Sequence, residues 1–519
     1  MSKQLLCSGM IVSTMTMVSR TMGLVRDVVI ANLMGSSAAT DIFFFANKIP
    51  NFLRRLFAEG AFSQAFVPVL AEYQANEDKT QVREFIAYVS GTLGILVTIV
   101  TLLGVIASPV ITALFGAGWF LDWVNDGPSA YKFELASLIL KITFPYLWFI
   151  SFVALSGSIL NIMGRFAVSA FTPVFLNIAM IAAAIWIAPT LQQPEIGLSI
   201  GVFLGGLIQF IFQLPFLYRE GMLVRPKWGW SHLGVVKIRT LMIPTLFGVS
   251  VNQINLLFDT FIASFLVTGS ISWLYYADRL LEFPLGIFGI AIATVILPSL
   301  SKKYIKQSST QFSNTMDWGI RMVLLLGLPA MVGMIVLAKP ILMVLFMRGE
   351  FGVADVHAAS LPLIAYASSL LNIMLIKVLA PAYYARKDTK TPVRYGIVTM
   401  ISNIVLNFIF AHFYDYVGLA MATAISALIN VSLLYHGLHK LGVYRVNRET
   451  LLFTLRLMLS AAFMGSIIYE LMPTNADWIA MALSTRSYIL VDLITAGAIT
   501  YIVSLFISGV RPHQLRAES

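Results

Sequence analysis

Apolar runs of about twenty residues, the length at which a helix crosses hydrocarbon, follow one another along this chain from residue 8 to residue 509. In a bilayer each spanning segment must satisfy its own backbone N–H and C=O groups, and runs twice the length of a barrel strand can do so only as helices. Charged residues make up 12% of the chain and hydrophobic ones 58%, about half the charge of a soluble domain. The expected fold is an all-α integral membrane protein. Turn residues and charges divide it into about fourteen spans, at 8–34, 40–66, 86–112, 136–162, 169–189, 196–217, 238–266, 272–300, 316–346, 358–384, 392–412, 416–438, 450–471 and 485–509. The ninth is long enough to tilt or to end in a short interfacial piece around Pro340.

The connections between spans give an orientation. Alternate ones hold Lys79 and Arg83; Arg165; Arg219, Arg225, Lys227, Lys237 and Arg239; Lys302, Lys303 and Lys306; Arg386, Lys387, Lys390 and Arg394; Lys440, Arg445 and Arg448. The intervening ones carry only Lys132, Lys339, Arg348 and Arg486. Cytoplasmic loops collect Lys and Arg, which places both termini in the cytoplasm. The formal net charge of +10 is thus a topology signal, and no basic run interleaved with aromatics marks a nucleic-acid partner. Cys7 is the single cysteine, which excludes an internal disulfide. Lys3 alone precedes the first run and no small-residue cleavage site follows it, so this run is read as a retained helix.

A weak self-similarity links segments about 230 residues apart, the mark of a repeated bundle in transporters. "RDVVIANLMGSSAATDIFFFANKIPNFLRRLF" begins at Arg26 and "FDTFIASFLVTGSISWLYYADRLLEFPLGIF" at Phe258. Asp27 falls against Asp259, Ala31 against Ala263, Ala46 against Ala277 and Lys48 against Arg279, with Pro68 and Pro298 following. In each copy a long span, a short outer Gly/Ser turn and a polar span succeed one another. Two bundles of six helices follow, with lobes at 1–228 and 229–445 and a last pair at 446–519.

Charges inside spans are costly and mark function. Arg20, Arg26 and Asp27 lie on the first span, Asp41, Lys48, Arg54, Arg55 and Glu59 on the second, Asp259 on the seventh, and Asp278, Arg279 and Glu282 on the eighth. Asn47, Asn51, Arg54 and Ala58 share one helical face, as do Ser272, Arg279, Glu282 and Gly286. Arg20 aligns with Gly23 and Asp27, whereas Arg26 lies about 120° away on a helix of 3.6 residues per turn unless Gly23 bends it. Arg20 with Asp27, Arg55 with Glu59 and Arg279 with Glu282 are within reach as purely structural ion pairs. As a group, Arg20, Arg26, Arg54 and Arg279 favour a different reading: the planar guanidinium fork suits phosphate and carboxylate, so these helices line a hydrated anion site. No catalytic constellation competes, because the six histidines are scattered and there is no HExxH, P-loop or nucleophile elbow.

At "SRTMGLVRD", "ATDIFFFANKIPNFLRRLFAEGAFSQAFVPVLAEY", "LLKITFPY", "SWLYYADRLLEFP" and "KVLAPAYYARKDTKTPV" the sequence resembles the MurJ (MviN) family. These are lipid II flippases of the multidrug/oligosaccharidyl-lipid/polysaccharide exporter superfamily. The resemblance covers essentially the whole chain. It implies a fourteen-helix, two-lobed protein of the bacterial inner membrane that moves lipid-linked peptidoglycan precursor to the periplasmic leaflet. The last helix pair would form a hydrophobic groove. The family's cavity arginines match Arg20, Arg26, Arg54 and Arg279, its acidic residue at the outer end of the second helix matches Asp41, and Ala31, Asn51, Ser272 and Glu282 match cavity-lining positions. In the inward-open state Asp41 would gate by pairing with charges of the opposite lobe. Some members bind sodium, and those ligands fall on Asp259, Asn403, Asn407, Leu419 (through its carbonyl) and Thr423, with Asn407 standing where the pattern has aspartate. Hydrogen bonding between helices is the competing reading of Asn403 and Asn407. Otherwise no cofactor is implied. The partners implied are lipid II, the bilayer and the cell-wall synthesis machinery, with no nucleic acid, and a monomer is expected. A multidrug exporter of the same superfamily would want an acidic or aromatic cavity, and an exporter of another lipid-linked saccharide is separated only by the family motifs.

Overall fold

The computed structural model describes residues 3–289, 296, 299–301 and 309–511, and their side chains except at 3–12, 57–59, 247–252, 288, 289 and 309. Cys7, Ala58, the Glu59 end of an Arg55–Glu59 pair, Pro298, the loop lysines Lys302, Lys303 and Lys306, and His513 lie outside that description. The regular structure of the described residues is helical, with no strand among them, as the apolar runs require. Among them nine helices are long and apolar enough to cross a membrane.

Two compact units divide the chain, Met1–Ser272 and Trp273–Ser519. In the first, α1 (Lys3–Met34) and α2 (Ala38–Leu53) are joined by a turn through Gly35, whose φ of 58° is left-handed, and Ser37 caps α2 by accepting from Thr40 N. The run at 40–66 is not one α-helix. After α2, Arg54–Phe62 is wound as a π-helix before α3 (Ser63–Asn76) resumes the ordinary pitch. There follow α4 (Lys79–Ile106), the short α5 (Ser108–Phe115) and α6 (Ala117–Val124), then α7 (Ala130–Thr143) and α8 (Tyr146–Ile162). The last two divide the expected fourth span at Pro145, which has no N–H to continue the ladder. Next are α9 (Phe166–Phe171), α10 (Pro173–Ala182), α11 (Pro194–Arg219) and α12 (Leu233–Ala263).

One end of this unit has a core of Phe62, Phe66, Phe85, Ile159, Leu160 and their neighbours. Phe66 stacks with Phe62 at 5.3 Å and with Phe85 at 6.0 Å. The connection before α12 lies along α4: Lys227 N donates to Ala87 O and Gly229 N to Thr92 Oγ1. It lies so close that a Cβ on Gly91 would stand 2.1 Å from the Lys227 carbonyl oxygen. Gly91→Ala must displace that strand of backbone, an overpacking cost of about 1–3 kcal/mol. The expected outcome is a lower thermal midpoint in detergent, with loss of protection at the Lys227 and Gly229 amides in hydrogen exchange.

The second unit continues α13 (Ser270–Pro284), which begins in the first, and adds α14 (Ser309–Val336), α15 (Ala338–Leu345), α16 (Val353–Ala385), α17 (Lys390–Lys440), α18 (Arg448–Leu471), α19 (Asn475–Ala480) and α20 (Leu483–Ile507). Of the two alternatives for the ninth run, the structure has the second: the long helix stops at Val336 and Pro340 sits in a separate short one. The 51 residues of α17 are two helices meeting at Asp415, where φ is 52° and ψ −139°. They correspond to the expected runs 392–412 and 416–438. Tyr276, fully buried, packs on Phe346 and Phe351 at 5.0 and 5.4 Å.

Candidate functional site: charges set into the membrane helices

Arg26 on α1 is largely buried and its fork is fixed from two sides. Nε and NH2 donate to Asp27 Oδ1 at 2.9 and 2.7 Å, and NH1 donates to Asn177 Oδ1 on α10 at 3.0 Å. Asp27 is fully buried. Asp27 thus pairs with its neighbour Arg26, where a structural ion pair would have matched it with Arg20. Arg20 is half-buried and makes no hydrogen bond or ion pair among the described residues. Ala31 is fully buried one turn beyond Asp27.

On α2 the polar face is a ladder along the helix. Asn51 Nδ2 donates to Asn47 O at 2.9 Å, and Arg54 Nε donates to Asn51 Oδ1 at 3.2 Å. Arg26 and Arg54 therefore share a device: a side-chain amide oxygen orients one edge of the guanidinium without adding charge. Arg279, on the part of α13 in the second unit, is held instead by a carboxylate, with NH1 donating to Glu282 Oε2 at 2.8 Å. The i,i+3 pair within reach in the sequence is present, and the Glu282 side chain remains 42% exposed.

Asp41 in the first turn of α2 is 2% exposed. The structure gives it neutral donors at the amino end of α13. Oδ2 accepts from Gly269 N at 2.6 Å, and Oδ1 accepts from Ser272 N at 2.9 Å and Ser272 Oγ at 2.6 Å. A carboxylate beside the exposed N–H groups of a helix start is favoured by the helix dipole. Gly269 has a φ of 99°, a left-handed value that glycine takes without strain. The rest of the turn before α13 is fastened as well: Gly118 N donates to Ser264 Oγ at 3.0 Å and Lys132 Nζ to Thr268 Oγ1 at 2.7 Å. The ammonium of Lys132 also lies 5.7 Å from the centroid of the Trp119 ring.

The proposed sodium ligands fall in both units, Asp259 in the first and the rest on α17. Asn403 Oδ1 accepts from Asn407 Nδ2 at 3.1 Å, Asn403 Nδ2 donates to Ser426 Oγ at 3.1 Å, and Thr423 Oγ1 donates to the Leu419 carbonyl at 3.0 Å. Of these bonds, the one from Asn403 to Ser426 joins the two halves of α17. It is the helix-to-helix hydrogen bonding read for Asn403 as the alternative to an ion ligand. Among the described residues no group of three or more His, Cys, Asp or Glu could hold a metal ion.

Three residues escaped the sequence reading. Asn177, the lone asparagine of the fifth run, could have been found by that polarity alone. Lys132 was assigned to a loop, yet it is 3% exposed within α7. Asp317 on α14, 5% exposed, accepts from Tyr444 OH at 2.7 Å, Thr450 Oγ1 at 2.9 Å and Asn447 Nδ2 at 3.1 Å. It ties the amino end of α18 to α14. Burial first, and then the bond to Asp317, push the Tyr444 hydroxyl well above the ordinary phenol range, so it stays a donor.

The family model described as "Lipid II flippase MurJ" matches residues 30–489. A probable lipid II flippase MurJ of Vibrio cholerae is 67% identical over 517 residues, covering 99% of this chain and 98% of the relative. Among solved structures, the inward closed conformation of a lipid II flippase MurJ matches with a TM-score of 0.80 at 29% identity, over 96% of this chain and 98% of that one. An inward-facing multidrug resistance MATE transporter of the MOP superfamily shares the fold, with a TM-score of 0.66 at 15% identity over 83% of this chain and 98% of that one. With an all-helical membrane fold, guanidinium groups set into its helices and a family model matched over most of its length, the chain belongs to the MurJ family of lipid II flippases.

Proposed function

We propose that this chain moves lipid II from the cytoplasmic to the periplasmic leaflet of the inner membrane by alternating access, as a transporter and not an enzyme. The observation that carries the reading is Arg26, a guanidinium fixed within a membrane helix by Asp27 and Asn177. A charge in that position is expensive and is explained by an anionic cargo. Lipid II carries a pyrophosphate and peptide carboxylates. Arg20, Arg26, Arg54 and Arg279 would receive the pyrophosphate, with Asn51, Ser272, Glu282 and the small Ala31 shaping the space around the head group. The lobes of this reading are 1–228 and 229–445, and the pair 446–519 would guide the polyprenyl tail along its apolar surface. Asp41 would hold the outer turn shut until the cargo is loaded.

With both termini cytoplasmic and the inside negative, outward movement of one net negative charge is favoured by roughly 2.3 kcal/mol per 100 mV. Sodium held by Asp259, Asn403, Asn407, the Leu419 carbonyl and Thr423 would add a cation gradient to this driving force. A single chain would be the working unit, fed and drained by the cell-wall synthesis machinery.

The test is lipid II translocation in proteoliposomes under an imposed inside-negative potential, comparing wild type with Arg279→Ala. Potential-dependent transport that falls about tenfold or more in the variant is expected, the scale of one lost charge-assisted bond. Wild-type rates in Arg279→Ala would remove Arg279 from the site, and no lipid II movement by the wild type would overturn the function.

A further inference from the structure

The side chain of Asn177 on α10 is 6% exposed and uses both ends on α1. Its Oδ1 accepts from Arg26 NH1 at 3.0 Å and its Nδ2 donates to the Ser19 carbonyl at 3.2 Å. Ser19 and Arg26 are two turns apart on one face. Helical side chains lean toward the amino end of their own helix, so the Arg26 guanidinium comes back along α1 and Asn177 bridges it to the turn that also bears Arg20. That turns a long, rotamer-rich side chain into a directed fork.

The chemistry of the bridge matters as much as its place. Asp27 already supplies one carboxylate to this guanidinium, through Nε and NH2. A second anionic acceptor at NH1 would leave the local charge negative and repel an incoming phosphate. An amide oxygen holds NH1 and adds no charge. Arg54 is treated in the same way by Asn51, so the neutral acceptor is a recurrent choice in this unit.

We infer that Asn177 is a positioning residue of the anion site: it directs Arg26 toward the pyrophosphate of the cargo without setting a second negative charge beside it. The inference rests on the function proposed above. Asn177 touches Arg26 and no cargo atom is assigned to it, so its effect is expected in substrate affinity.

Two variants separate positioning from simple fastening of α1 to α10. Asn177→Asp keeps an acceptor for Arg26 and adds a charge, whereas Asn177→Ala removes the bridge. Undecaprenyl pyrophosphate in nanodiscs is the probe, with thermal midpoint and translocation kinetics measured on the same preparations. The expected order of affinity is wild type, then Asn177→Ala, then Asn177→Asp, the last weaker than wild type by about tenfold or more. KM should rise with kcat little changed, while the thermal midpoint of Asn177→Asp stays at or above that of Asn177→Ala. A fastening role predicts that affinity follows the midpoint, and that result, or wild-type affinity in Asn177→Asp, overturns the inference. Should Asn177→Asp fail to fold, Asn177→Ala decides alone: KM raised about threefold supports positioning, on the scale of one hydrogen bond, and an unchanged KM overturns it. Arg26→Ala is the control for the parent reading; if it binds the probe like wild type, the arginine site itself fails and the inference falls with it.

Discussion

Asp41→Ala is expected to release the outer turn that leads into α13 and to abolish productive transport. The carboxylate takes two backbone N–H groups and one hydroxyl in a place sealed from water. Alanine leaves those donors without acceptors, and each buried donor left unsatisfied costs about 1–3 kcal/mol. Even at about 3 kcal/mol in total, opening of this turn becomes more than a hundredfold more frequent. Hydrogen exchange at the Gly269 and Ser272 amides should accelerate by that factor, and lipid II transport should lose its coupling because the outer side no longer closes firmly. Asp41→Asn is expected to fall between, since one oxygen survives but the new NH2 faces a donor. Unchanged exchange at Gly269 and Ser272 in Asp41→Ala would show that Lys132 and Ser264 suffice to hold the turn.

Asp317→Ala should produce the largest loss of stability. Its carboxylate gathers Tyr444, Asn447 and Thr450, and Asn447 in turn caps α18 by accepting from Thr450 N at 2.6 Å. Arg321, one turn along α14, donates from Nε to Thr450 Oγ1 at 2.9 Å. Removing the central acceptor undoes a shared network, and breaking such a network typically costs roughly 3–5 kcal/mol. The expected outcome is a lowered thermal midpoint, with a protease-sensitive site appearing between residues 441 and 449. Asp317→Asn, which keeps one acceptor, should lose less. If Asp317→Ala unfolds like wild type, the apolar packing of α18 against α14 and α20 is what holds the last pair.

Much of the fold was legible because the bilayer removes alternatives: a long apolar run has no state but helix, and the charges that interrupt α1, α2 and α13 stand out against it. Where the runs break was less legible. Pro145 and Pro340 were visible, but the π-wound stretch after Leu53 depends on how two faces of one helix must point, which a count of apolar letters does not encode. The candidate site divides in the same way. The arginines announced themselves by cost alone. Their partners did not, since Asn177 is 151 residues from Arg26 and only packing of α10 on α1 brings them together. Asp41 was expected to seek a cation because charge is written in the sequence, whereas the backbone N–H groups it binds are carried by every residue except proline.

The π-wound stretch Arg54–Phe62 fixes a length rather than a composition. One residue added to or taken from an α-helix turns everything beyond it by about 100°. Arg54 at the head of the stretch belongs with Asn51 and Asn47 behind it, while Phe62 at its foot belongs with Phe66 and Phe85 in the core. The wider winding is what lets both ends keep their bearings along a single rod. Shortening it by a residue would swing either the arginine or the phenylalanine away from its company, although no side chain had been altered. Between these two anchors the spacing is the inherited quantity, much as the number of teeth between two gears matters more than the metal they are cut from.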